Sequence, residues 1–166
     1  MLMRLLFYTL FIALFFTACQ SSEPKEASDN QLTSSSKEGV EEVVFESLDG
    51  LEITADFYYG ASKDKVVLLC HQAGFSRGAY NEIAPRLVAQ GLSCMAVDLR
   101  SGGEVNGVLN ETHARATAQG LSTNYQDSEQ DIRAALDYLK SQGFKKVVLW
   151  GSFSILSLSL FKCLRS

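Results

Sequence analysis

The segment "LWGSFSIL" near the end of the 166-residue sequence combines a strand-like run with serines. Apolar β-formers stop at Gly151, and Ser152 and Ser154 follow at once. A serine hydroxyl on a sharp turn after a buried strand can attack an acyl carbon when a base removes its proton. In the pattern Gly-x-Ser-x-Gly the serine stands two residues after the first glycine, where this sequence has Phe153. A phenyl ring is no nucleophile, so the segment matches a nucleophile turn incompletely.

A second stretch, "CHQAG" at residues 70–74, could stabilise developing negative charge. Small residues and a glycine after a strand let backbone N–H groups point into a pocket, where they stabilise the oxyanion of a tetrahedral intermediate. The ordinary alternative is a plain strand-to-helix turn. The whole sequence has two histidines, His71 in this stretch and His113 further along. Whether the serines and the "CHQAG" stretch lie close together depends on the strands and helices that carry them.

Hydrophobic patterns predict the strands that would position these residues. Two β-rich runs around Leu48-Asp49-Gly50 predict an antiparallel hairpin. Short continuous apolar runs at residues 65–70, 93–98 and 145–150 predict three parallel strands, and the first of them has the composition of a strand buried on both faces. The polar, glycine-bearing segment "LRSGGEVNGVLNE" that follows the second of these runs is predicted as a loop.

Two helices are predicted between the parallel strands. The first covers residues 79–92 and ends at Gly91, a residue suited to a C-terminal cap. The second covers residues 127–143, where Asp127 or Ser128 can cap the start. Strands that alternate with helices imply a parallel sheet with sites at the carboxyl ends of its strands.

A hairpin, then strands ending in "CHQAG", "DLRSGG" and "VVLWGS", together resemble the α/β-hydrolase family, near the dienelactone-hydrolase-like esterases and lipases. The resemblance covers residues 40–154 and implies an α/β protein with the N-terminal portion of that fold: an antiparallel hairpin, then parallel strands with crossover helices. It implies a serine hydrolase that acts on small-molecule carboxylic esters without a cofactor. The family pattern implies that the backbone N–H of Ala73, with that of Gln72 as its neighbour, contributes to the oxyanion hole, and that the residue after the nucleophile supplies a further N–H. It makes Ser152 the candidate nucleophile and His71 a residue that shapes the turn.

The resemblance fails at two points close together. Phe153 occupies the nucleophile position, and one residue inserted after Ser152 would restore a credible turn. In this fold the triad acid and histidine follow the nucleophile along the chain, but the twelve residues after Ser154 contain no Asp, Glu or His. We expect that the reading frame was lost near Ser152, that the domain is truncated after the elbow strand, and that this chain is inactive.

Three other polar residues are not assigned to catalysis. His113 in "NETHARATAQ" precedes the serines and is interpreted as an exposed residue of a loop or short helix. Asp98 and Glu104 are interpreted as loop and turn residues rather than the triad acid. The sequence therefore offers a serine without a visible base.

The N-terminus predicts export and a lipid anchor. Residues 1–18, a basic residue and then an apolar run too short to span a bilayer, have the layout of a signal peptide. "FFTAC" resembles the lipobox of bacterial lipoproteins, which implies lipidation of Cys19; an ordinary cleavage site is the alternative. Residues 19–39 are predicted as the lipidated cysteine and a flexible tether, since they have little to bury, and residues 40–166 as an incomplete α/β-hydrolase domain. The predicted location is the bacterial cell envelope, on a membrane through the anchor.

The composition of the sequence argues against several classes of function. The net charge of −4 and the absence of a basic run argue against nucleic-acid binding. Besides Cys19 the sequence has Cys70, Cys94 and Cys163 without a Cys-x-x-Cys pair, which disfavours a metal site and a thioredoxin-type function. Cys70 and Cys94 lie in or beside apolar runs and are predicted as buried free thiols. The main alternative to a hydrolase is a lipid-anchored binding module that holds a ligand with its loops.

Overall fold

The computed structural model describes residues 39–151, whose centre is a five-stranded mixed sheet in the order β1-β2-β4-β3-β7. The signal peptide, Cys19, most of the tether and Ser152 lie outside the described residues. The hairpin and the three later strands are confirmed, within one residue at each end. The strands are β1 (Val40–Glu46), β2 (Glu52–Tyr58), β3 (Lys65–Cys70), β4 (Ser93–Val97), β5 (Glu104–Val105), β6 (Val108–Leu109) and β7 (Lys146–Gly151), of which β5 and β6 form a separate hairpin.

The strand β3 lies between β4 and β7 and is parallel to both. The strand β2 is antiparallel to β1 and to β4. Along the chain, β3 leads to β4 on one side, and β4 leads back to β7 on the other side of β3. Open α/β sheets bind ligands at the carboxyl ends of strands where the order reverses in this way. The topology therefore predicts a site at the ends of β3 and β7.

Three α-helices flank the sheet within residues 39–151: α1 (Ile83–Ala89), α2 (Glu111–Ala118) and α3 (Ser128–Ser141). The helices α1 and α3 end as predicted, at Gly91 and Gly143, whose φ angles of 83° and 90° close the last turn. The first helix begins four residues later than predicted, because a 3₁₀ helix (Arg77–Tyr80) precedes it. Asp127 is the N-cap residue of α3, but its side chain makes no capping hydrogen bond. None of the helices in the described residues is long and apolar enough to cross a membrane.

The central strand β3 is buried on both faces. Leu68 shares one apolar cluster with Ile132 of α3, and Val67 shares the other with Ala84 of α1. Because alternate residues of a strand point to opposite faces, both clusters need apolar side chains from β3, which explains the unbroken run "KVVLLC". Each fully buried leucine contributes about 2 kcal/mol to folding.

The strand β7 is partly buried on one face and exposed on the other within the described part of the chain. Val147 and Leu149 pack against the cluster that contains α3, whereas Val148 and Trp150 are 57% and 47% exposed. The run "KKVVLW" predicted a parallel strand, which is confirmed, and gave no sign of which face is covered.

The two cysteines within residues 39–151 are Cys70 and Cys94. Both are buried, and neither forms a disulfide, which confirms the predicted free thiols. Burial raises the pKa of the Cys94 thiol to about 11, because desolvation penalises the thiolate. Both residues therefore act as small apolar side chains of the core.

The segment predicted as a loop after β4 contains the short hairpin of β5 and β6. Its two connecting residues are Asn106 and Gly107, with φ angles of 53° and 72°. Two positive φ angles fit a type I′ turn, for which Asn-Gly is the strongest short-range sequence signal. Strands of two residues are too short to show an alternating pattern, so periodicity alone did not predict them.

Arg100 forms a buried ion-pair cluster that joins three segments. Its guanidinium lies 2.7 Å from Asp131 Oδ1 on α3 and 2.7 Å from Asp49 Oδ2 in the first hairpin turn. Asp131 also accepts hydrogen bonds from the Arg100 N–H and from Ser47 Oγ. A planar guanidinium with paired carboxylates is one of the few charged groups that tolerates burial. The Arg100 cluster therefore ties the hairpin turn, the segment after β4 and α3 together.

Removal of one partner from the Arg100 cluster is expected to destabilise the fold. Asp131→Ala leaves the guanidinium with Asp49 as its one carboxylate partner, and we expect the free energy of unfolding to fall by about 3 kcal/mol. The matched control is Asp137→Ala on the same helix, where the carboxylate is 65% exposed and pairs with Lys140. It should change the free energy of unfolding by less than about 0.5 kcal/mol. Urea denaturation followed by circular dichroism measures both variants, and equal losses would contradict this role.

Candidate active site

The carboxyl ends of β3, β4 and β7 lie at one level of the sheet. Cys70 is paired with Val97 of β4 and with Gly151 of β7. The last residues of β3 and β7, Cys70 and Gly151, therefore lie side by side at the same edge of the sheet, about 5 Å apart. Ser152 itself lies outside the described residues, so its role as a nucleophile stays a prediction.

Gly151 is required by a close approach of two backbones. A Cβ atom at this position would lie 2.7 Å from the carbonyl oxygen of Cys70, a distance that real Cβ atoms essentially never show. A larger residue would push the ends of β3 and β7 apart. Gly151 thus keeps the end of β7 against the end of β3.

His71, the first residue after β3, is a buried neutral imidazole. Its Nε2 accepts a hydrogen bond of 2.9 Å from the Leu99 N–H, so the ring proton is on Nδ1, which donates to the Gln72 carbonyl at 2.8 Å. Burial lowers the pKa of His71 from 6.5 to about 4, because desolvation penalises the imidazolium. Since both ring nitrogens are engaged, His71 shapes the turn, as predicted, and is not placed to act as a base.

The hydrogen bonds of the Gln72 carbonyl fix the direction of the Ala73 N–H. This carbonyl accepts from His71 Nδ1 and from the Phe75 N–H at 3.1 Å. The peptide bonds of the described residues are all trans, and in a trans peptide the C=O and the following N–H point in opposite directions. The Ala73 N–H therefore points away from His71. Within residues 39–151 neither this N–H nor that of Gln72 donates a hydrogen bond to another backbone group.

Gly74 closes the same turn. Its φ angle is 83°, and the Phe75 N–H bonds to the Gln72 carbonyl, which together describe a type II turn. The Gly74 N–H donates to the Ser101 carbonyl at 2.8 Å. A Cβ at Gly103 would lie 2.7 Å from the Gly74 carbonyl oxygen. The glycines of "DLRSGG" therefore let the segment after β4 support the "CHQAG" turn from outside.

Asp98 follows β4 and lies outside helices and strands, as the sequence predicted, but it is completely buried. Its carboxylate accepts from the Arg77 N–H, pairs with Arg77 Nη1 at 2.6 Å and accepts from the Glu111 N–H. Arg77 also pairs with Asp56 and Glu42. These contacts occupy the carboxylate, which makes Asp98 a structural residue. Sequence reasoning missed Arg77, because an arginine in a polar segment carries no local signal of burial.

His113 and Glu104 lie away from the end of β7. His113 is on α2, partly buried rather than exposed as predicted, and its Nδ1 donates to the Arg100 carbonyl at 2.7 Å. Arg100 follows β4, and β3 separates β4 from β7 by two strand spacings, about 10 Å. Glu104 is an exposed residue of β5. The structure therefore brings neither side chain to the end of β7.

Two surface depressions lie elsewhere on the described residues. One lies between Leu48 and the start of α3, and the other is lined by aromatic residues that include Phe57, Tyr59 and Phe144. Neither touches residues 71–74. Among residues 39–151, no three side chains of His, Cys, Asp or Glu are grouped so that they could hold a metal ion.

The neutral state of His71 predicts a loss of stability in mild acid. Its pKa in the folded protein, about 4, is below the ordinary 6.5, so the unfolded chain binds more protons between these values. The stability present above pH 6.5 is lost as the pH falls through 4, and about 2 kcal/mol should be lost between pH 7 and pH 5. Urea denaturation at both pH values should show this loss in the wild type and not in His71→Gln. The same pH dependence in both proteins would argue against a buried neutral His71.

No protein-family model and no curated protein matches this sequence. Solved structures do match, with low identity. An α/β hydrolase from Novosphingobium aromaticivorans is 17% identical with a TM-score of 0.53, covering 77% of this chain and 40% of that one. An epoxide hydrolase from an endophytic Streptomyces is 18% identical with a TM-score of 0.52, covering 76% of this chain and 35% of that one.

A third structure, an α/β hydrolase from Penicillium sp. sh18, is 16% identical with a TM-score of 0.51, covering 68% of this chain and 37% of that one. The alignments therefore span 35–40% of the length of these three proteins. Likeness at such identity concerns the fold, and it agrees with the mixed sheet order and the parallel strands described above. Residues 39–151 have the fold of the N-terminal portion of an α/β hydrolase.

Proposed function

We propose that this chain carries a serine hydrolase site for carboxylic esters of small molecules, of the dienelactone-hydrolase-like type, with Ser152 as the nucleophile. The N–H groups of Ala73 and Gln72 form its oxyanion hole. The observation that carries the proposal is the outward direction of the Ala73 N–H at the end of β3, beside the end of β7. The solved neighbours include an α/β hydrolase and an epoxide hydrolase, which agrees with hydrolase chemistry.

The proposed reaction uses these groups in two steps. Ser152 Oγ bonds to the ester carbon, its proton passes to a base, and the alcohol leaves with a proton; water then hydrolyses the acyl-enzyme. Negative charge develops on the carbonyl oxygen in both steps. An N–H donor already aimed at that oxygen stabilises it by about 3 kcal/mol, since no reorganisation is needed.

Neither histidine within residues 39–151 is placed to act as the base of this site. Both histidines of the sequence make structural hydrogen bonds, His71 to Leu99 and Gln72 and His113 to Arg100. Loss of a triad as a unit lowers kcat by about a million-fold. We therefore propose that this sequence by itself reacts slowly at Ser152 and does not turn over esters at the rate of a complete triad.

A second proposal is a lipid-anchored binding module without catalysis. The observation that favours it is that the N–H groups of Gln72 and Ala73 have no backbone acceptor in the described residues, while both histidines are engaged. Adjacent backbone N–H groups bind carboxylate or carbonyl oxygens. In this case the ligand binds at the same edge and no covalent bond forms.

We further propose that the chain is a lipoprotein of the bacterial cell envelope, attached to a membrane through Cys19. The support is the "FFTAC" segment and the polar stretch up to residue 38. One acyl chain gives only marginal membrane binding, so stable attachment requires more than one chain. A polar tether would let the folded part reach substrates away from the membrane surface.

A fluorophosphonate probe tests the proposed nucleophile and oxyanion hole. Ser152 Oγ would bond to phosphorus, fluoride would leave, and the serine proton would pass to solvent. We expect labelling of the full chain that Ser152→Ala abolishes and that the neighbouring control Ser154→Ala retains. Ala73→Pro removes one N–H and suits the second position of a type II turn, so it should slow labelling about 100-fold.

Gln72→Ala keeps its N–H and is the control for the turn, with an unchanged labelling rate expected. An Ala73→Pro rate equal to that of the wild type would rule out the oxyanion role. If the wild type is not labelled but binds a simple carboxylate such as acetate, and Ala73→Pro weakens this binding, the binding module is the better proposal.

Cys19→Ala tests the anchor. We expect the wild-type chain, expressed in a bacterial host, to incorporate labelled palmitate and to fractionate with membranes. Cys19→Ala should do neither, because the attachment thiol is absent, whereas the control Cys163→Ala should behave like the wild type. Membrane fractionation of Cys19→Ala without palmitate would refute anchoring through this residue.

A further inference from the structure

Asn110 lies between β6 and α2 and uses both ends of its amide. The residue is completely buried. Its Oδ1 accepts a hydrogen bond of 2.7 Å from the His113 N–H and so caps the first turn of α2. Because a backbone N–H must meet the oxygen, this contact fixes the orientation of the amide and leaves Nδ2 to donate elsewhere.

The Asn110 Nδ2, which carries two hydrogens, lies within hydrogen-bond distance of three acceptor atoms around the candidate site. They are His71 Nε2 at 3.2 Å, the Phe75 carbonyl at 3.1 Å and the Leu99 carbonyl at 2.9 Å. His71 and Phe75 stand at the two ends of the turn that contains the proposed oxyanion donors. A Cβ at Gly102 would lie 1.7 Å from Nδ2, so the glycine leaves the space that the amide occupies.

We propose that Asn110 is a positioning residue for the oxyanion hole, because its amide holds both ends of the turn that directs the Ala73 N–H. The inference rests on the proposed function of Ala73. It adds to that function a side chain outside the motifs that suggested it.

Asn110 influences the direction of the Ala73 N–H through the contacts of the His71 ring. The Leu99 N–H donates to the single lone pair of Nε2, which keeps the ring proton on Nδ1, and the Asn110 amide lies 3.2 Å from the same nitrogen. The Nδ1 proton holds the Gln72 carbonyl, and the trans peptide then turns the Ala73 N–H outward. The Asn110 amide donates to the carbonyls of Phe75 and Leu99, so its loss would release the far end of the turn and the residue whose N–H selects this tautomer.

Charged side chains near His71 are engaged with other partners. On the segment after β4, Asp98 pairs with Arg77 and Arg100 pairs with Asp131, and on α2 Glu111 pairs with Arg77. The other titratable group facing this region from α2, His113, donates to the Arg100 carbonyl. No carboxylate among residues 39–151 makes a hydrogen bond to the His71 ring. An anion placed at position 110 would therefore act on the ring directly.

The variant Asn110→Asp keeps the helix cap and removes the amide donors, so it distinguishes the two roles of Asn110. Aspartate caps a helix as well as asparagine does, but its carboxylate offers His71 Nε2 an acceptor in place of a donor. We expect the pKa of His71, followed by NMR titration of its ring protons, to rise from about 4 to about 6. Below that pH the Leu99 N–H loses its acceptor. The protection of the Gly74 and Phe75 amides against hydrogen exchange should then fall about tenfold.

Two further variants keep the test decisive. Asn124→Asp adds the same charge at an exposed residue and should change neither measurement. Asn110→Ser keeps an uncharged cap without an amide; it should lower the protection of Gly74 and Phe75 about tenfold and leave the pKa of His71 low. An unchanged His71 pKa in Asn110→Asp, together with unchanged protection in Asn110→Ser, would overturn the proposal.

The labelling rate separates this inference from the proposed function. Labelling of Ser152 that is about tenfold slower in Asn110→Ser than in the wild type, with the same melting temperature as Asn124→Asp, supports the positioning role. Labelling of Ser152 at the wild-type rate in Asn110→Ser counts against it. If the wild type is not labelled, the proposed function fails, while the NMR measurements still decide whether Asn110 holds the turn.

Discussion

The hydrogen bond from the Leu99 N–H to His71 Nε2 joins the ends of β4 and β3, and the geometry of the candidate site depends on it. A buried imidazole is tolerated only when its nitrogens are paired. The backbone donor decides which nitrogen keeps the lone pair, and the other nitrogen then takes the Gln72 carbonyl. One contact between two strands thus determines where a peptide N–H points one residue further along the chain.

The residues on either side of Leu99 explain why its N–H stays in place. Asp98 is held by Arg77, and Arg100 is held by Asp131. Buried ion pairs contribute little net stability, because desolvation offsets most of the attraction, yet the loss of one partner is costly. Their main effect here is geometric, since they fix the three residues after β4 from two sides. The motif "DLRSGG" is therefore a support for the neighbouring turn, in addition to its two glycines that allow close contact.

The parts of the fold that depend on local pattern were predictable from the sequence. The run "KVVLLC" predicted β3, and Gly91 and Gly143 predicted the ends of two helices. The roles of Arg77 and Asn110 were not predictable, because they arise from partners far along the chain. Asn110 meets His71 across 39 positions.

The short hairpin of β5 and β6 is a local element that the sequence pattern nevertheless did not predict. Its Asn106-Gly107 turn gave a specific signal, but strands of two residues gave no periodicity to support it. At the site, the sequence indicated which backbone segment matters, and the hydrogen bonds of its carbonyls were needed to establish where its N–H groups point.

The Arg100 cluster also has a consequence for how the chain finds its structure. Asp49 and Ser47 lie in the turn between β1 and β2, and both reach Arg100 in the observed pairing. A slip of one residue in this hairpin would turn every side chain of one strand to the opposite face. It would also carry Asp49 away from a guanidinium that is 1% exposed. The cluster therefore penalises misaligned hairpins during folding, so that a charge buried beside the site selects among competing strand pairings.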